Sequence, residues 1–329
     1  MTSYQEFKHL LMKKQYREAL LYAESAVERS GDTVFWLNQQ AIALSRLGRF
    51  KEAVSAADRA LARSPSNEFS LVIRAESLLK EGKCNDALTC FEEAAYYPRV
   101  EIKARKGILD CLLQLGHFQK VLDEIGRWTN DTSEWYSWQI GAYAGLDRID
   151  EAIKMCHTWL KQSTDNRKAL WLLCDLEVKR DGIEPTLIKY EKIAKIPSSS
   201  PIYGEICAML NRKAGKVDRA ISQYDRIAGL LNDPSIIRRK AFALAKSGHE
   251  RDALPLFEEL LRSSPNDRYV HNAYSAAARR IGYLENAWAF YHELLGIHPD
   301  EKTLYGRIKK IGKELELMTS SKEITTTES

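Results

Sequence analysis

The sequence predicts an all-α fold, a solenoid of stacked helical hairpins, and two observations predict it. A turn-forming residue recurs at Lys14, Gly48, Gly82, Gly116, Asp147, Gly182, Gly215, Gly248 and Gly282, at intervals of 34, 34, 34, 31, 35, 33, 33 and 34 residues. Five residues after each stands a small or apolar residue: Ala19, Ala53, Ala87, Val121, Ala152, Leu187, Ala220, Ala253 and Ala287. A period of this size marks a repeat array in which each unit is one supersecondary element stacked on the next. Because such an array grows in one dimension, residues 1–300 fit a single solenoid without exceeding the size of one core.

Within a unit, the elements follow from local chemistry. In residues 69–98, Leu71, Ala75, Leu78 and Leu79 share a helical face. Gly82 ends that helix in the left-handed conformation. Asn85 or Asp86 is placed to cap a second helix, which presents Ala87, Phe91 and Ala94 on one side. Pro98 closes the unit. The short turn makes the pair antiparallel, and Ala75 and Ala87 let the axes approach closely while Phe91 fills the open end. One hairpin cannot bury both faces, so each needs its neighbour.

Repeats four to six depart from this pattern. Asp147 stands where glycine is usual, as Lys14 does in the first repeat, and Leu187 replaces the alanine. A kink is expected near residues 128–138. Five of the seven tryptophans fall here: Trp128, Trp135, Trp138, Trp159 and Trp171. They read either as core filling or as an aromatic pocket, with Trp138 its candidate by register. Beyond Pro299, Leu304, Ile308, Ile311 and Leu315 form one face of a capping helix over 301–318. The polar residues 319–329 are expected to be disordered.

The repeat grammar resembles the tetratricopeptide repeat (TPR) family. The matching residues are Gly48…Ala53…Pro65, Gly82…Ala87-x-x-x-Phe91, Gly215…Ala220-x-x-x-Tyr224, Gly248…Ala253-x-x-x-Phe257…Pro265 and Gly282…Ala287-x-x-x-Tyr291…Pro299. The resemblance implies a right-handed α-solenoid superhelix of about nine helix-turn-helix repeats whose first helices line a concave groove. Carried across by register, Phe35, Asn38, Phe69, Lys103, Lys106, Arg238 and Arg239 would point into that groove. The clamp with which some members hold chaperone tails is missing: Lys106 fits its first place, but Asp110 stands where asparagine is needed.

Composition permits this reading. The chain is 44% hydrophobic and 29% charged, and a net charge of +4 is too small to argue for nucleic acid alone. Its six cysteines form no Cys-x-x-Cys and read as buried free thiols of a reducing compartment. Neither a signal-peptide run nor an apolar stretch of membrane-spanning length is present, so a cytoplasmic location is expected. No phosphate loop, dinucleotide fingerprint, nucleophile elbow or zinc motif occurs, and no cofactor, metal or catalytic residue is predicted.

Positive charge needs sorting. The pairs Lys179-Arg180, Arg212-Lys213 and Arg279-Arg280 end first helices, where the helix dipole favours cations. Arg238-Arg239-Lys240 instead follows a helix start, as do Lys103, Arg105 and Lys106. An aromatic N-terminal stretch and a basic C-terminal half point to a non-enzymatic scaffold that binds a protein or extended peptide bearing acidic residues. The alternatives are single-stranded RNA binding through the basic C-terminal repeats and service as an accessory subunit of a larger complex. The sequence leaves the partner and the oligomeric state open.

Overall fold

The structure is a computed structural model and describes residues 3–31, 33–128, 133–196, 199–228, 234–299 and 301–327, with side chains described up to residue 317. The described residues form nineteen α-helices and one 3-10 turn, with no strand. The first two hairpins are α1 (Ser3–Met12) with α2 (Tyr16–Ser30), and α3 (Val34–Arg46) with α4 (Phe50–Arg63). Next come α5 (Glu68–Glu81) with α6 (Cys84–Ala94), and α7 (Glu101–Gln114) with α8 (Phe118–Trp128). The 3-10 turn Ser133–Trp135 leads into α9 (Tyr136–Gly145), paired with α10 (Ile149–Gln162). The sixth and seventh hairpins are α11 (Arg167–Asp181) with α12 (Ile183–Ala194), and α13 (Pro201–Lys213) with α14 (Val217–Ala228). The last are α15 (Pro234–Lys246) with α16 (Glu250–Ser263), and α17 (Arg268–Arg280) with α18 (Leu284–Ile297), followed by α19 (Lys302–Thr327). The hairpins group into two compact units, Met1–Ser163 and Thr164–Ser329.

All nine turn residues have positive φ, from 59° at Lys14 and Asp147 to 89° at Gly182. In eight hairpins the next residue is then bonded in both directions. Its N–H donates to the carbonyl five residues back, as Lys83 does to Leu78 and His249 to Leu244, at 2.8–3.0 Å. Its own carbonyl accepts from the N–H of the small residue four further on, as Arg49 does from Ala53, at 3.0–3.3 Å. One residue thus ends the first helix and starts the second, which satisfies orphan groups of both. This is why the second helices need no side-chain cap: α6 begins at Cys84 after Lys83, and neither Asn85 nor Asp86 caps it. First helices do use side-chain caps, at Thr33, Asn67, Asn166 and Asp267.

The residue five beyond each turn is buried in every hairpin. So are Ala75 and Leu109, the facing positions on first helices. Each core spans neighbouring hairpins: Ala75, Ala87 and Phe91 share one cluster with Ile108, Val121 and Ala142. Phe91 lies so close over α7 that a Cβ at Gly107 would come within 2.4 Å of its ring, so the next helix packs there only as glycine. At the C-terminal end Leu304 and Ile311 of α19 are buried against α18, with Ile308 and Leu315 beside them. Burial of each such Leu or Ile contributes about 1.5–3 kcal/mol. Helical backbone continues to Thr327, through most of the segment expected to be disordered. Once a helix is nucleated, each added residue gains a backbone bond at little cost. Glu328 and Ser329 lie outside the described residues.

The sixth hairpin closes differently. Gly182 alone separates α11 from α12, and its φ of 89° with ψ of 171° belongs to a region that only glycine populates readily. Buried Glu177, where other repeats mostly carry a small residue, pairs with Lys189 across the hairpin. Of the expected kink at 128–138, residues 129–132 lie outside the described residues. All six cysteines are free and all but Cys84 are buried. Burial pushes the Cys111, Cys174 and Cys207 thiols up to about 12, which leaves them unreactive.

His271 is fully buried in the last hairpin. Its Nε2 lies 2.8 Å from the Pro265 carbonyl, which can only accept, so Nε2 carries the proton and Nδ1 accepts from the Tyr291 hydroxyl at 3.2 Å. Burial holds its pKa below the ordinary 6.5. The unfolded chain therefore binds the extra proton first, and stability is lost as pH falls below about 6.5. Urea unfolding of the C-terminal hairpins at pH 7.5 and 5.5 should show a lower midpoint at 5.5, with the difference reduced in His271→Gln.

Turn chemistry gives a second expectation. Gly82→Ala should destabilise by about 1 kcal/mol, because an L side chain is strained at that φ. Lys14→Gly should stabilise by about 0.5–1 kcal/mol by removing the same strain. Both are read from denaturant midpoints, and equal midpoints for wild type and Gly82→Ala would contradict the strain.

Candidate partner-binding faces

The repeat places equivalent residues of successive first helices side by side. In the N-terminal unit the second residue of α1, α3, α5 and α7 is Tyr4, Phe35, Phe69 and Ile102, and all four are exposed. Tyr4 and Phe35 meet edge to face at 5.3 Å, and the Arg99 guanidinium lies 5.6 Å from the Phe69 ring. Further along α3, α5 and α7, beginning at Lys103 directly after Ile102, residues of these helices line a groove of about 820 Å³. Ile42, Ile73 and Leu79 supply apolar lining. Arg46, Lys80, Lys103 and Lys106 line it with positive charge against Glu76 and Asp110.

Lys103 pairs with Glu76 at 3.0 Å, and the Lys106 ammonium sits 5.7 Å from the centre of the Trp135 ring. The Trp138 indole N–H donates to Asp110 at 2.8 Å, and its ring packs on Trp135 at 5.7 Å. Trp135 thus belongs to the core of repeats three to five, and Trp128 and Trp138 pack against that core half-buried. Asn38 is buried: its carbonyl oxygen accepts from the Ser70 hydroxyl at 2.8 Å, and its amide reaches the cap residue Asn67 at 3.4 Å. It ties α3 to the start of α5 and has no side-chain face to offer a ligand. Of the residues selected by register, Phe35, Phe69, Lys103 and Lys106 lie on one unit's first-helix face.

In the C-terminal unit the first helices α11, α13 and α15 carry Trp171, Glu205 and Arg239, spaced 34 residues apart. Glu205 is fully buried, and both its oxygens are held by Arg167, with Arg239 sharing Oε2. The Arg239 guanidinium also lies 5.3 Å from the Trp171 ring. A cavity of about 570 Å³ opens above, lined by Arg167, Lys168, Trp171, Met209, Arg212, Tyr224 and Arg239. Arg238 points elsewhere: it pairs with Asp267, the cap of α17. Burial pushes the Asp267 carboxyl up, but Arg238 and the Val270 and Tyr269 amides hold it below the ordinary range. Adjacent arginines therefore serve different purposes. Register alone missed Arg167, Trp171 and Glu205, although the 34-residue ladder Trp171–Glu205–Arg239 was there to be read.

The basic pairs at first-helix ends are largely neutralised. Arg180 pairs with Asp181, Lys213 with Asp175, Arg279 with Glu314 and Arg280 with Glu250. Among the described residues no group of His, Cys, Asp and Glu is placed to hold a metal, and no helix is long and apolar enough to cross a membrane.

A crystal structure of a tetratricopeptide repeat protein from Parabacteroides merdae ATCC 43184 is similar to this chain at 14% identity and a TM-score of 0.52, covering 74% of this chain and all of its own. The chain has the tetratricopeptide-repeat fold. The family described as anaphase-promoting complex, cyclosome, subunit 3 matches residues 12–94, which include the second and third TPR hairpins. The P58(IPK) TPR domain aligns at 16% identity over 96% of this chain and 98% of its own, with a TM-score of 0.31. No curated protein matches the chain. TPR hairpins serve generally as protein-interaction scaffolds.

Removing the carboxylate beneath the two arginines tests the basic cluster. Breaking a buried ion pair costs about 3–5 kcal/mol, and the partial exposure of both arginines reduces this. Glu205→Gln should therefore lower the unfolding free energy of the C-terminal unit by about 2 kcal/mol. An unchanged urea midpoint would mean the arginines are not held by Glu205.

Proposed function

We propose that the chain is a non-enzymatic cytoplasmic scaffold that binds a partner protein through an extended, partly acidic segment. The observation that carries this is the exposed ladder Tyr4, Phe35, Phe69 and Ile102 beside a groove with four cations and two carboxylates. An extended segment offers side chains at regular intervals, and large apolar residues placed in register along successive helices match that spacing. Aromatic residues provide much contact area at little entropic cost, which suits them as anchors. The surplus of positive charge in the groove favours a segment carrying Asp or Glu and speeds its encounter.

The RNA alternative has less support, since four of the helix-end cations that would track a phosphate backbone, Arg180, Lys213, Arg279 and Arg280, are paired with acids. Service as an accessory subunit would use the same faces.

A displayed library of random twelve-residue peptides, panned against the full chain, should yield sequences rich in acidic and apolar residues. Phe35→Asp combined with Phe69→Asp should weaken them tenfold or more. Leu21→Asp, on the exposed side of a second helix, should leave them unchanged. Equal loss in both variants, or none in the first, would contradict binding at the first-helix face.

A further inference from the structure

The cavity of the C-terminal unit has a chemistry of its own. Four cations, Arg167, Lys168, Arg212 and Arg239, line it, and Arg167 and Arg239 are held by Glu205, buried beneath. Arg167 and Arg239 are fixed by that carboxylate, so two guanidinium groups stand ready at the cavity without having to be ordered by a ligand. Arg212 is exposed and makes no ion pair among the described residues. Trp171 supplies an aromatic wall already stacked on Arg239.

We propose that this cavity binds a dianionic phosphoryl group, presented on a phosphorylated side chain of a partner protein. Three features argue for it. The three arginines alone leave surplus positive charge after Glu205 is counted, which suits a dianion better than a single carboxylate. The Arg212 fork, not engaged by Glu205, matches tetrahedral phosphate oxygens with paired, charge-assisted bonds, and Arg167 and Arg239 add positive charge beside it. The volume of about 570 Å³ admits a whole side chain and its phosphate rather than a carboxylate alone. A nucleic-acid backbone would need further open cations in line beyond Arg212, and the neighbouring helix-end cations Lys213 and Arg280 are engaged by acids. The phosphoryl chemistry stands on this cavity alone, whereas its source on a protein rests on the scaffold reading above.

Calorimetric titration of the full chain with N-acetyl-O-phosphotyrosine amide tests this. Saturable binding with one site per chain is expected, weakened at least tenfold by Arg212→Gln and by Trp171→Leu. Lys161→Gln, which removes one cation from the other unit, should leave it unchanged. Phe35→Asp with Phe69→Asp should also leave it unchanged, which separates this site from the scaffold reading. Equal affinity in Arg212→Gln and wild type would overturn the site. Binding of N-acetylglutamate amide as tight as the phosphorylated probe would overturn the phosphoryl assignment. Inorganic phosphate or ATP binding tighter than the capped probe would overturn the protein source. Displacement of the probe by a twelve-nucleotide uridine RNA at physiological salt would overturn it in favour of nucleic acid.

Discussion

Eight of the nine hairpins are closed by the same device: a residue in the left-handed region, followed by one whose N–H ends the first helix and whose carbonyl begins the second. The angle between the two helices is set there, by backbone alone, within two residues. Because no side chain is needed at this closure, Lys14 and Asp147 can occupy it at the expense of some strain. The small residue five positions on is then both hydrogen-bonded to the closure and pressed against the facing helix. Stability and geometry are coupled at one point, and each hairpin hands the same geometry to the next.

That repetition has a functional consequence. Where hairpins close at the same angle, first-helix residues one period apart stand side by side, whatever their chemistry. The scaffold therefore separates what folds it from what it presents. Second positions can carry Tyr4, Phe35, Phe69 and Ile102 in one unit, and mid-helix positions can carry Trp171, Glu205 and Arg239 in the other. Neither set disturbs the alanines, leucines and aromatic residues that fill the shared cores.

The fold was legible because its determinants are local and periodic: nine turn residues and nine buried neighbours can be counted from sequence. The faces were less so, since a side chain's availability is decided across hairpins. Asn38 and Arg238 sat in plausible groove positions, yet each is bound to the cap residue that starts a later first helix, Asn67 and Asp267 respectively. Both partners lie 29 residues on. Trp138 satisfied the register argument but spends its indole N–H on Asp110. Turn-to-turn spacing says which residues stand in line and nothing about which are already engaged.

Glu205 shows where such reasoning can be extended. A carboxylate on a first-helix face, scored as one more surface acid, argues against an anion site. Fully buried between two arginines, it argues for one. Left alone, Arg167 and Arg239 would repel each other and keep their side-chain freedom, and a ligand would have to supply the cost of ordering both. The carboxylate removes the repulsion and fixes the forks, at the cost of one unit of positive charge. The sign of a residue's contribution to binding is therefore set by its depth beneath the face, and depth is not given by the 34-residue register: Trp171, Glu205 and Arg239 share that register, and only Glu205 is fully buried.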